Sequence, residues 1–122
     1  MTKVGWKRKI IKSCKEVGTY RESFDPVIDT LADILERRDA TLEVYEKTGG
    51  HPIVKHTNKA GADNYEQNPA LRLVNDLNRD ALAYWRDLGL TPAGLKKLND
   101  KALDVKVTNK KSFSDVLESL GI

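Results

Sequence analysis

The apolar positions of the chain fall into three helical stripes separated by breaks. From Val4 to Val17, Trp6, Ile10, Cys14 and Val17 share one side at 100° per residue, while Arg8, Lys12 and Lys15 share the other; this predicts a short amphipathic helix that stops at Gly18. A longer helix is predicted from about Pro26 to Thr48. Its stripe of Ile28, Leu31, Leu35, Leu42 and Tyr45 is interrupted by Arg38, and Asp29, Asp33, Glu36 and Glu43 project away from it toward water or a partner. Gly49 and Gly50 are suited to a left-handed cap, and His51-Pro52 prevents the helix from resuming.

The helical period then disappears. HPIVKHTNKAGADNYEQ contains β-favouring Ile53, Val54 and Thr57 and has turn formers from Asn58 to Gly61, so it reads as a long loop or irregular hairpin between two long helices. A third helix, from about Pro69 to Leu88, has the widest apolar face, with Leu71, Val74, Leu77, Ala81, Tyr84, Trp85 and Leu88. A short fourth helix should run from Pro92 to about Leu98. Beyond it, Leu103, Val105 and Val107 alternate as in an extended stretch, and Ser112 with Asp115 forms a capping-box pattern before Val116, Leu117 and Leu120. Asp25, Asn68 and Thr91 each precede a proline and are the expected N-caps. The fold class is mainly α.

At 122 residues the chain has room for one domain. It divides into a basic N-terminal arm or helix (1–19), a helical core and oligomerisation region (20–98) and a C-terminal tail with a short helix (99–122). Hydrophobic residues make up 39% and charged residues 32%, a composition that folds around a modest core. No apolar run approaches the roughly 18 residues of a membrane span, and no apolar signal core follows Lys3, so a soluble intracellular protein without a membrane partner is expected. Cys14 is the single cysteine, which excludes an internal disulfide and a site built on two thiolates. Charge is unevenly placed. Residues 1–18 carry six lysines and arginines against one glutamate, whereas residues 19–48 carry four cations against eight carboxylates. The basic arm and the acidic helix could meet across the subunits of a homo-oligomer, or the arm could be held free for a polyanion.

The densest stretch is LGLTPAGLKKL, a helix-to-helix corner. Gly89 ends one helix, Leu90 folds back, Thr91 caps the next helix, Pro92 opens it, and Leu90 with Leu95 stands at hydrophobic-staple positions. Together with Asn68-Pro69, a preceding acidic helix ending in Gly-Gly and a polar HTNKAGADN loop, the segment YEQNPALRLVNDLNRDALAYWRDLGLTPAGLKKL resembles the phage terminase small subunits over residues 20–98. Ala93 departs from the family pattern, in which serine is frequent. The resemblance implies a non-catalytic part of a viral DNA-packaging motor in the bacterial host cytoplasm. Such a protein forms a homo-oligomeric ring, recognises phage double-stranded DNA, and recruits the large terminase subunit that carries the ATPase and nuclease.

On that reading Lys3, Lys7, Arg8, Lys9, Lys12 and Lys15 are the DNA-contact candidates, with Trp6 available for stacking. Leu31, Leu35, Leu42, Tyr45, Tyr84 and Trp85 are the oligomerisation candidates, because the faces of the two long helices exceed what one subunit can cover. Arg72, Arg79 and Arg86 read as a salt-bridged solvent face with Asp76, and the helix from Ser112 to Leu120 is a candidate dock for the large subunit. His51, His56 and Asp63 match no strong metal motif, and no glycine-rich phosphate loop is present, so neither a metal, a cofactor nor a catalytic residue is assigned. Two other classes remain open: a small dimeric helix-turn-helix regulator using Lys96 and Lys97, and a metal-dependent nuclease.

Overall fold

The computed structural model describes residues 1–101. In chain order they form helix α1 (Lys3–Val17), a 3-10 turn (Glu22–Phe24), helix α2 (Asp25–Lys47), strands β1 (Ile53–Thr57) and β2 (Asp63–Gln67), and helix α3 (Pro69–Asp87). A last helix, α4, covers residues 92–101, beyond the expected end at Leu98. The expected extended stretch and capping-box helix fall almost wholly in 102–122, outside the described residues.

Lys3 reaches Asp29 and Asp33 while Lys7 reaches Asp25 and Asp29, so α1 runs antiparallel to α2. Arg38 meets Asn78, and Thr19, just ahead of α2, donates to the carbonyl at the end of α3, so α3 is antiparallel to α2 as well. α2 is therefore the middle helix. It supplies Ile28, Leu31, Ala32, Ile34 and Leu35 to a core completed by Ile10 and Cys14 of α1 and by Leu77, Ala81 and Leu88. Each large aliphatic side chain fully buried there contributes about 1.5–3 kcal/mol. A middle helix buries more than one stripe, so the single narrow face expected for α2 is corrected. Asp29 and Asp33 of its negative face are met by Lys3 and Lys7 of α1, whereas Glu36 and Glu43 stay exposed.

The helix ends follow their capping residues with one exception. Thr2 accepts from Gly5 N at 3.2 Å, Asn68 from Ala70 N at 3.0 Å and Thr91 from Gly94 N at 3.0 Å. Asp25 was the expected cap of α2 but lies inside it; the 3-10 turn leads straight into the helix, no side chain caps it, and the Asp25 carboxylate instead holds Lys7.

The segment after Gly50 is a regular antiparallel hairpin and not an irregular loop. Its register pairs Ile53 with Gln67, Val54 with Glu66, Lys55 with Tyr65, His56 with Asn64 and Thr57 with Asp63. The Asn58 side chain makes the turn, accepting from Ala60 N at 3.0 Å and Ala62 N at 2.9 Å, with Gly61 at φ 82°. Its base is fixed by Asn68, which donates from its backbone to Pro52 O and from Nδ2 to His51 O, and by Tyr45, whose hydroxyl donates to Gly50 O at 2.7 Å.

At the α3–α4 corner Gly89 takes φ 72° and Leu90 N returns to Trp85 O at 2.8 Å. Gly94 is buried against the end of α3 so closely that a Cβ there would stand 2.2 Å from Arg86 O. Contact with a rigid carbonyl cannot be relieved by rotating a side chain. Gly94→Ala should therefore cost about 1–3 kcal/mol in urea unfolding. Ala93→Ser, at the exposed neighbouring position, should stay within about 0.5 kcal/mol of the parent. Equal stability of the two variants would show that the corner is not closed on Gly94.

Candidate nucleic-acid interface

Three sides of α1 have different fates. Trp6, Ile10 and Cys14, spaced by four, face inward, and the last two are fully buried. Lys3 and Lys7, also four apart, turn toward α2: Lys3 Nζ lies 3.0 Å from Asp29 and 3.2 Å from Asp33, and Lys7 Nζ 3.1 Å from Asp25. The hydrogen bond to Asp29, then that to Asp33, raises the Lys3 pKa; the bond to Asp25 raises that of Lys7; and the bond from Lys3 lowers that of Asp29. The third side carries Arg8, Lys12 and Lys15 at a spacing of four and three. With Ile11 and Glu16 they line one open groove.

The six basic candidates are thus not one arm. Lys3 and Lys7 are held by the protein's own carboxylates, and the basic and acidic segments meet within one subunit. Lys9 sits over the Trp6 ring, 5.3 Å from its centroid, and Lys15 over Tyr20 at 5.1 Å. Arg8, Lys12 and Lys15 still face solvent as a strip.

Trp6, expected as a stacking platform, is occupied inside the protein. Its Nε1 donates to Asp39 Oδ2 at 2.7 Å, and its ring meets Trp85 edge-on at 6.5 Å. Arg38 donates to Asp39 Oδ1 from Nη2 at 3.0 Å and to Asn78 Oδ1 from Nη1 at 3.3 Å, with its guanidinium 5.3 Å from the Trp6 ring. Burial pushes the Asp39 carboxyl up, but the hydrogen bonds from Trp6, Arg38 and the Met1 amine outweigh it and hold the group below its ordinary value. The interruption of the α2 stripe at Arg38 is the sequence trace of this clasp, whereas Asp39 gave none.

The oligomerisation candidates lie largely inside the subunit. Leu31 and Leu35 are fully buried and offer no surface to a second copy, a correction that follows from the central position of α2. Leu42 and Tyr45 are half-buried, and Tyr84 and Trp85 pack on the core from its margin. The large apolar side chains that do face water are others, among them Val44, Ile53, Tyr65, Leu73 and Leu82. At the corner, Gly89 is buried, Leu90, Thr91 and Leu95 are half-buried and Pro92 is exposed. Arg79 pairs with Asp76 at 3.3 Å. His56 and Asp63 occupy opposite faces of the hairpin, and Asp63 is bound to Thr57 and Lys55, so the imidazole and carboxylate do not converge.

A family model described as phage terminase, small subunit, matches residues 3–104. That span starts at the first residue of α1, earlier than the resemblance over residues 20–98. No curated protein and no solved structure matches the chain.

Asp29 and Asp39 have folded pKa values below their unfolded ones, so their contribution to stability is full above the ordinary carboxylate range and is lost as pH falls through the folded values. Urea unfolding should accordingly show stability falling below about pH 4, with Asp39→Asn giving a flatter profile over the same interval. Trp6→Phe keeps the ring and removes the donor to a charged acceptor; it should cost about 1.5–3 kcal/mol at pH 7. A Trp6→Phe variant as stable as the parent would remove the clasp from the account.

Proposed function

The chain is a member of the phage terminase small subunit family, and from that premise we propose that it is a non-catalytic, DNA-binding and self-assembling component of a viral genome-packaging motor. It works in the cytoplasm of the bacterial host cell, binds phage double-stranded DNA, and brings the large terminase subunit, which supplies the catalysis, to that DNA. The observation that carries the DNA reading is the strip of Arg8, Lys12 and Lys15, which line one open groove while Lys3 and Lys7 are engaged with α2.

Three cations at positions i, i+4 and i+7 extend over about 10 Å of helix, a length that follows backbone phosphates. Ile11 lies among them in the groove, and the strip acts by neutralising phosphate charge. One such strip is a weak site. A homo-oligomeric ring presents many copies, and affinity then comes from avidity and depends steeply on salt. No helix among the described residues is long and apolar enough to cross a membrane, and no membrane partner is proposed.

The test is fluorescence anisotropy on a duplex across a salt series. Replacing Arg8, Lys12 and Lys15 together with Gln should weaken binding at least tenfold at low salt and reduce the log–log salt slope by about 3 per bound subunit. Replacing Lys3 and Lys7 with Gln should lower folding stability and leave the slope near that of the parent. An unchanged slope in the triple variant would overturn the assignment of DNA contact to this face.

A further inference from the structure

The hairpin is the least supported part of the structure. Among the described residues every position of β1 and β2 except Val54 is exposed and both strands are edges, and a lone two-stranded ribbon is at best marginally stable in water. One face carries Ile53, Lys55, Thr57, Asp63, Tyr65 and Gln67. On it Ile53 and Tyr65, diagonal neighbours in the register, are 61% and 75% exposed.

A second apolar surface without a partner among the described residues lies on the helices. Ala40, Thr41 and Val44 of α2 and Pro69, Ala70 and Leu73 of α3 line an open groove, with Val44 and Leu73 about half exposed. Ala40 also lines a neighbouring groove that contains Glu36, Asp39 and Glu43. Asp39 is held by Arg38 and the Met1 amine and Glu43 by Lys47, whereas the exposed Glu36 has no cation within ion-pair distance among the described residues, so the apolar groove has an acidic shoulder at Glu36. At the hairpin tip Lys59 has no carboxylate within ion-pair distance among the described residues.

We propose that the hairpin of one copy seats in the α2–α3 groove of the next, with Ile53 and Tyr65 against Val44 and Leu73 and Lys59 over the Glu36 shoulder. This rests on the self-assembly reading and names its surface. The lengths agree. From the Lys55–Tyr65 level to Lys59 is four residues, two of strand and two of turn, at most about 13 Å. From Val44 back to Glu36 is eight residues, about 12 Å of helix. Charge selects the occupant: Lys55 and Lys59 are balanced by Asp63 and Glu66, and Lys55 is already bound to Asp63, so the ribbon has no net attraction for phosphate. Its tip cation instead complements the acidic shoulder. Because donor and acceptor are different patches, the contact is head-to-tail, the kind that closes into a ring when its rotation permits.

The test uses two double variants of the full chain, I53S/Y65S on the hairpin and V44S/L73S on the groove, all four positions lying outside the core cluster. Circular dichroism establishes that each is folded, and light scattering over a concentration series gives the mass. Each variant alone should be monomeric at concentrations where the parent assembles, and a mixture of the two should form a 1:1 dimer, joined by the one intact hairpin and the one intact groove. If the parent assembles and I53S/Y65S assembles equally, or if the mixture stays monomeric, the interface is overturned while self-assembly stands. A parent that is monomeric with and without duplex DNA overturns the assembly reading and the interface together. An I53S/Y65S variant that keeps its mass but loses DNA would give the hairpin to nucleic acid and overturn the proposal.

Discussion

The half-buried carboxylate of Asp39 accepts hydrogen bonds from Trp6 on α1 and Arg38 on α2, and Arg38 continues to Asn78 on α3. A carboxylate placed this way cannot be left with an empty lone pair at low cost, so the position of α1 is set by a polar requirement as well as by apolar burial. A free 15-residue helix with six cations would be marginal in water, weakened further by like charges one turn apart. Docked against the acids of α2 and anchored by Trp6, it becomes part of the body. The Trp6–Trp85 edge contact and the Thr19 bond to Leu88 O extend the same attachment along the helix and close its far end.

That attachment sorts the basic residues by function. The cations facing α2 neutralise a row of aspartates that would otherwise repel one another and any approaching polyanion. Those facing away, Arg8, Lys12 and Lys15, stay exposed to solvent. A net charge of only +3 therefore conceals a basic strip, because a large part of the acidic surface is matched internally. On the proposed reading the division would have a mechanical use: a strip on a docked helix would hold a fixed orientation, so neighbouring copies of a ring would present phosphate-binding groups in register, whereas tethered arms would each lose entropy on binding.

Much of the helical framework was legible in the sequence because it depends on local rules. Three-and-four spacing located α1, α2 and α3, and the left-handed glycines after α1, α2 and α3 and the caps at Asn68 and Thr91 set their limits. What was not legible depends on pairing between distant segments. Asp25 has the composition of a cap but is drawn to Lys7; Trp6 has the composition of a stacking platform but is claimed by Asp39; and Leu31 and Leu35 read as surplus apolar surface only when α2 is not known to be the middle helix. The hairpin was half visible. Ile53, Val54 and Thr57 favour strand, yet alternation is weak in β2 because both faces are wet, and periodicity reports a strand only where one side is buried. The resemblance over residues 20–98 pointed to the family, and the matched span of residues 3–104 brings α1 within it.

The central claim is that α1 is a docked helix with one face left for DNA. Amide hydrogen exchange across residues 6–17, with and without duplex DNA, tests it directly. The account predicts that these amides are protected to the same extent as those of α2 in the protein alone, and that DNA adds protection around Arg8, Lys12 and Lys15 without creating the helix. Exchange in the free protein at the rate of an unstructured chain, with protection arriving only when DNA binds, would contradict it and restore a free basic arm.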